Sequence, residues 1–286
     1  MKVSGFSFIR NGIQFDYPFL EAIRSILPVC DEFIVVVGDS SDGTRDAVVK
    51  LSDPKIKIID TVWDENLREG GQILAQQTNI AMDHITGDWG FYIQGDEVVH
   101  EKYLGIIRDS MERYQNHPEV DGLLFHYRHF YGSYDYVGSS RRWYRKEIRI
   151  IRNDKSIRSY KDAQGFRKNG NKLRVKQIPA WVNHYGWVKD PRSQQEKQKY
   201  FHKLWHDDSW VEQRVAKTQT FDYEANIDVL EKFTETHPEV MHKRIALSNW
   251  NFSYTPKKLK LKERISGFME KLTGYRIGEY KNYKII

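Results

Sequence analysis

The stretch Phe33-Ile-Val-Val-Val37, broken by Gly38-Asp-Ser-Ser-Asp-Gly43 and followed by Thr44 to Leu51, decides the fold class. Five consecutive apolar, mostly β-branched residues read as a strand covered on both faces, as in a parallel sheet. A polar, glycine-bounded loop ends that strand, and Thr44 to Leu51 reads as a helix. The pattern repeats on either side. Upstream, Val3 to Ile9 is a short apolar segment ended by Arg10-Asn11-Gly12. A helix follows from Tyr17, with Phe19, Ala22, Ile23, Ile26 and Leu27 on one face and Pro28 closing it. Downstream, Ile56 to Ile59 is a third strand. Arg68 to Ile85 is helical in its later part, with Leu74, Thr78, Ala81, Met82 and Ile85 aligned. Gly87-Asp88 turns the chain into a fourth strand, Trp89 to Ile93, followed at once by Gln94-Gly-Asp-Glu97. A helix from Glu101 and a strand at Gly122 to Tyr127 complete the series. This alternation with short loops predicts an α/β protein whose open, mostly parallel sheet is sandwiched by helices.

From Arg128 to Tyr185 aromatics and arginines alternate and helical periodicity is absent, which predicts short antiparallel strands and loops added to the sheet. From Gln194 onward the chain reads as helical again, including Asp222 to Thr236, with a break at His237-Pro238. Lys257 to Ile286 is basic and reads as peripheral. The expected division is therefore a domain over 1–190 and a helical C-terminal extension over 191–286.

The 286 residues carry 45 Lys and Arg against 39 Asp and Glu, a formal charge of +6 that favours anionic ligands. With 40% hydrophobic residues a large core can form, so global disorder is excluded. No apolar run reaches the roughly 20 residues of a membrane span, and no secretory leader is visible at Met1. The single Cys30 excludes a disulfide framework and a cysteine-rich zinc site, so a soluble, cytoplasmic protein is expected.

Open parallel sheets bind ligands beyond the carboxyl ends of their strands. Three polar clusters fall there: Arg10-Asn11, Asp39-Ser40-Ser41-Asp42-Gly43-Thr44 and Gln94-Gly95-Asp96-Glu97. Each alone suits a turn or a helix cap. Together they mark one edge as a site. Adjacent carboxylates at Asp96-Glu97 project differently, so one can hold a hard cation such as Mg²⁺ or Mn²⁺ while the other bonds the groups around it, or else the pair caps the turn that starts the next helix.

In order, SFIRNG before a helix, FIVVVGDSSDGT, the Thr78-Asn79 pair and FYIQGDE resemble glycosyltransferase family 2, with its GT-A nucleotide-sugar fold. The resemblance spans residues 3–105 and continues loosely to His184. It implies transfer of a sugar, with inversion, from a UDP- or GDP-linked donor to a glycan or lipid-linked acceptor in polysaccharide or glycoconjugate synthesis. By the same resemblance Asp39 contacts the nucleoside, with Phe8, Arg10, Asn11, Ser41 and Asp42 lining that pocket. Asp96 takes the last place of the D-x-D-like segment and binds the divalent cation. Gln94 stands at its first acidic position and supplies no charge, leaving strict metal dependence open.

Downstream, Asp162 is the candidate general base, or else a surface turn residue, and His184 is a second candidate metal ligand or a structural histidine. Arg141, Arg142, Trp143, Arg145 and Arg149 suit a diphosphate clamp or sugar stacking, or a strand with solvated arginines. Leu261, Ile265, Phe268, Met269 and Leu272, flanked by Lys257, Lys258, Lys260, Lys262 and Arg264, spell an amphipathic helix. It suits peripheral contact with the inner face of a membrane, or packing on its own domain. Two rival functions remain: a sugar-1-phosphate nucleotidyltransferase, which shares the sheet architecture but calls for a glycine-rich basic loop where SFIRNGIQF has one glycine after the strand, and a non-catalytic nucleotide-sugar or glycan-binding protein, which Gln94 leaves open. Nucleic acid is not expected, because no helix-turn-helix, zinc or RNA-platform signature occurs.

Overall fold

The computed structural model describes residues 1–286 except 65, 66, 68, 216, 228, 257–269, 271, 275 and 277. In chain order the strands are β1 (Val3–Ile9), β2 (Glu32–Gly38), β3 (Ile56–Thr61), β4 (Trp89–Tyr92), β5 (Glu97–Val99), β6 (Gly122–Tyr131) and β7 (Ser133–Gly138). They continue with β8 (Lys146–Arg152), β9 (Ile157–Tyr160), β10 (Gly165–Lys168), β11 (Asn171–Lys172), β12 (Arg174–Trp187), β13 (Leu230–Lys232) and β14 (Lys284–Ile285). The helices are α1 (Phe19–Ile26), α2 (Thr44–Val49), α3 (Gln72–His84), α4 (Leu104–Arg113), α5 (Pro191–Lys203), α6 (Asp208–Arg214) and α7 (His242–Ala246).

The expected α/β class holds. Strands β3-β2-β1-β4 lie side by side and parallel, and β8, β6, β7 and β13 extend that sheet with antiparallel pairing. Every residue of β2 is buried, because its two faces serve two cores. Phe33, Val35 and Val37 pack with α1 and α4, whereas Ile34 and Val36 pack with Ala81 and Met82 of α3. The antiparallel trio β9-β10-β11 forms a second, small sheet.

Three expectations are corrected. Between Arg128 and Tyr185 the strands are not all short and antiparallel: β12 is 14 residues long and runs parallel to β6. Its apolar Val175, Ile178, Ala180 and Val182 are buried across that pairing, and bulges absorb the irregular spacing. Asp222 to Thr236 is not a helix. Asp222 Oδ1 accepts from the Ala225 N–H at 2.8 Å and closes one turn, after which buried Leu230 leads β13 onto the open edge of β7. Nor is the end of the chain wholly peripheral, since Tyr283 is buried and β14 pairs with β12. Of the amphipathic segment, only Leu272 belongs to the described residues, and it is exposed; Leu261, Ile265, Phe268, Met269 and the flanking basic residues lie outside them. No helix among the described residues is long and apolar enough to cross a membrane.

Candidate functional site

Strand β1 connects to β2 on one side and has β4 on the other, so the switch point of the sheet lies between the carboxyl ends of β1 and β4. A cavity of about 1010 Å³ opens beside the end of β4. Gln94 and Asp96 line it from β4, Glu147 and Arg149 from β8, and His184 and Trp187 from β12. Lys197 and Phe201 of α5 and Asp162, in the turn between β9 and β10, close the remaining sides with Arg276 and Tyr283.

Glu97 fixes the β4–β5 turn. Its carboxylate accepts from Arg149 Nε at 2.7 Å and Nη2 at 2.5 Å, from the Tyr127 hydroxyl, and from the Gln94 backbone N–H at 3.1 Å. Glu97 and Arg149 are both almost wholly buried, so each is tolerable only because the other is there. Burial works against the charged form of Arg149, but Glu97 outweighs it and holds the guanidinium well above its ordinary pKa. The pair leaves Arg149 unavailable as a substrate clamp.

Asp96, one residue earlier, faces the cavity. Its Oδ2 lies 3.4 Å from His184 Nε2 and 3.3 Å from Lys197 Nζ. Burial alone would raise this carboxyl, but the neighbouring His184 and Lys197 side chains outweigh it and hold the group far below the carboxylate range. Gly186 permits the approach: a Cβ there would stand 2.5 Å from both Asp96 Oδ2 and His184 Nε2. Behind His184 sits buried His129, whose Nε2 faces the Tyr144 carbonyl at 3.1 Å and whose Nδ1 is 3.3 Å from His184 Nδ1. Burial first, then His184, pushes His129 well below its ordinary pKa.

Gln94 donates to the Tyr92 hydroxyl at 3.2 Å, which in turn meets Thr78 at 3.4 Å. Asn79 accepts from the Ser159 N–H at 2.8 Å and so ties α3 to the β9 side of the Asp162 turn. In that turn Lys161 and Ala163 take positive φ angles of 55° and 60°. Asp162 Oδ1 is buried without a hydrogen-bond partner, and burial raises the Asp162 pKa. Glu147 lies nearby with Arg149 Nη1 at 3.7 Å. Burial, set against that guanidinium already engaged by Glu97, pushes Glu147 up to about 8.

The structure thus brings Gln94, Asp96, Asp162 and His184 to one cavity. Arg141, Arg142, Trp143 and Arg149 line it as well, whereas Phe8, Arg10, Asn11, Asp39, Ser41, Asp42 and Arg145 stand apart from its lining. Arg10 Nη2 pairs with Asp39 Oδ2 at 3.0 Å, and its Nη1 donates to the Tyr200 hydroxyl at 3.0 Å. Its guanidinium also lies over the Trp63 ring, next to Phe8. Asn11, at φ 51°, donates its N–H to Ser40 Oγ at 3.0 Å, and Ser41 is exposed. Asp42 caps its own loop, accepting from the N–H groups of Thr44 at 3.0 Å and Gln14 at 2.7 Å. Arg145 forks onto Glu279 at 2.9 Å and meets Glu270 at 3.0 Å, which anchors the C-terminal wall.

Sequence reasoning missed Lys197, Glu147 and His129. Glu147 was detectable, because it shares a strand face with Arg149 across the alternation Glu147-Ile-Arg-Ile150. For Lys197 the sequence carries no signal, because the positions α5 buries there are polar: Gln194, Gln195 and Lys197.

For a divalent cation the donor set does not fit. Asp96 and His184 face each other here, and both already face further protein partners, Lys197 for one and His129 for the other. Among the described residues no three His, Cys, Asp or Glu side chains converge.

No family model matches the chain, and no curated protein matches it. Solved structures overlap it in part. Staphylococcus aureus TarS gives a TM-score of 0.42 at 15% identity over 74% of this chain, which spans 42% of that structure's length. TarS 1–349 in complex with UDP-GlcNAc gives 0.42 at 16% identity, covering 76% of this chain and 71% of that one. Glucosyl-3-phosphoglycerate synthase from Mycobacterium tuberculosis, with Mn²⁺, UDP and phosphoglyceric acid, gives 0.30 at 16% identity over 46% and 43%.

Proposed function

We propose that the chain transfers a sugar from a UDP- or GDP-linked donor to the hydroxyl of a glycan or lipid-linked acceptor, with inversion at the anomeric carbon. One observation carries this reading. A single cavity beside the end of β4 holds an ammonium, on Lys197 paired with Asp96, and a buried carboxylate oxygen without a partner, on Asp162. The first suits an anionic diphosphate and the second a proton in transfer.

In this reading the acceptor oxygen attacks the anomeric carbon, the bond from that carbon to the diphosphate oxygen breaks, and the electron pair leaves with the nucleoside diphosphate. The hydroxyl proton passes to Asp162, whose burial makes its carboxylate a stronger base than an exposed one. Glu147 keeps its own proton up to about pH 8 and so acts as a donor rather than a base. Asp39 and the Phe8–Asn11 loop offer polar groups to the nucleoside at the β1–β2 edge. The aromatic faces of Trp143, Trp187 and Phe201 suit a pyranose ring. Work in polysaccharide or glycoconjugate synthesis, on the cytoplasmic side of a membrane, would follow from such an acceptor.

Calorimetric titration of UDP and GDP tests the reading, followed by product analysis with the sugar conjugates of whichever binds. Binding of one nucleotide and release of it from its sugar conjugate are expected. Binding of neither, nor of any other nucleoside diphosphate, would end the transferase reading.

A further inference from the structure

The carboxylate at the end of β4 already has protein partners. His129 Nε2 faces a carbonyl oxygen and must donate, so in the neutral ring its Nδ1 accepts, and the partner 3.3 Å away, His184 Nδ1, is the donor. That bond turns His184 Nε2 toward Asp96 Oδ2, 3.4 Å away. Lys197 is the cation at this carboxylate. Its side chain is 11% exposed, and Nζ is held by Asp96 Oδ2 at 3.3 Å, by the Gly186 carbonyl at 2.9 Å and over the Tyr17 ring at 4.8 Å. A hard divalent cation asks for about six oxygen ligands, several from carboxylates, water or phosphate. Here a metal would have to displace an ammonium from Oδ2, and that ammonium is also held by the Gly186 carbonyl. The amide of Gln94 and the engaged carboxylate of Glu97 offer it no compensation.

We infer that the Lys197 ammonium, positioned by Asp96 and supported by His184, holds the donor diphosphate in the place of a divalent cation, so that the donor site works without metal. This rests on the nucleotide-sugar reading of the same cavity. The negative charge that the diphosphate gains as the sugar leaves would fall beside a fixed ammonium, on a helix packed against the sheet edge, and no metal would enter or depart with each turnover.

Inorganic pyrophosphate, which carries the charge but no nucleoside, tests the ammonium separately from the nucleotide reading. Calorimetry should give the same affinity in chelator and in Mg²⁺ within about twofold, and Lys197→Met should weaken it about tenfold or more. Asp96→Asn gives the sharper arm. It removes a negative charge beside the anion and releases Lys197, so it should tighten pyrophosphate by roughly threefold or more, whereas loss of a metal ligand would weaken it. Electron paramagnetic resonance of the wild-type chain with Mn²⁺ should show no stoichiometric binding. The Asp96→Asn and Mn²⁺ arms decide the matter even if Lys197→Met fails to fold. Stoichiometric Mn²⁺ binding, a tenfold gain from Mg²⁺, or weakening by Asp96→Asn would each overturn the assignment. Pyrophosphate held without metal while UDP and GDP are not held would support Lys197 and remove the nucleotide reading. UDP held only with metal would do the reverse.

Discussion

Replacing Glu147 by glutamine should stabilise the protein in base and leave it unchanged in acid. Glu147 is mostly buried in the cavity wall, and the nearby guanidinium of Arg149 is engaged by Glu97. Ionising Glu147 would place two carboxylates around one guanidinium, so its pKa rises from 4.5 to about 8. Between those values the folded chain holds a proton that the unfolded chain has released. Stability from this group is therefore complete below about pH 4.5 and is lost as pH rises through about 8. At about 1.4 kcal/mol per tenfold change in proton affinity, the interval caps the effect near 5 kcal/mol. Water in the open cavity and relaxation of Arg149 bring the expectation down to about 2–3 kcal/mol. Glutamine imitates the protonated form. Urea denaturation at pH 4 and at pH 8.5 should then find Glu147→Gln equal to wild type at the lower pH and more stable at the higher. Comparing variant with wild type at each pH cancels groups such as His129, which buried and neutral loses stability in acid instead. Equal stability of the two proteins at pH 8.5 would refute the reasoning.

Three further outcomes are expected. Arg149→Met strands the buried Glu97 carboxylate and should cost about 3–5 kcal/mol in urea denaturation, and a loss under about 1 kcal/mol would show that Glu97 finds other partners. Gly186→Ala forces a methyl group between Asp96 and His184, so pyrophosphate affinity should fall with little change in melting temperature. Unchanged affinity would mean that the close approach is not needed. Asp162→Asn should lower kcat about 100-fold or more while donor affinity, read by calorimetry, stays within about twofold; near-normal turnover would move the base elsewhere.

The parallel half of the fold is legible in the sequence because its signals are local. Phe33 to Val37 is apolar throughout, and the α1 face repeats every three to four residues, so β1 to β4 and their helices fall close to where they are read. Strand β12 is less legible, since Pro179 and charged residues interrupt its alternation and its pairing with β6 joins segments some fifty residues apart. The candidate site divides in the same way. Asp96 follows a strong strand and is visible from its position alone. Lys197 matters only because α5 folds back across the sheet edge, and nothing in Gln194-Gln-Glu-Lys197 announces that path. Arg145 and Asp42 have the right chemistry for ligands, but local partners claim them: Glu279 for one, the N–H groups of its own loop for the other.

The bonds of Glu97 bear on how this protein can change. Its carboxylate ties together groups from β6, β8 and the Gln94 turn, while its backbone lies opposite His184 in the pairing of β5 with β12. A substitution there would loosen the sheet and shift the groups at the cavity edge in one stroke, so tolerance and tuning cannot be had at the same position. Variation in what the cavity binds is better sought in the segments that reach it from outside this knot: the Asp162 turn, the outer face of α5 and the C-terminal wall around Tyr283. Those are the places where a laboratory selection could accumulate changes without first rescuing the fold.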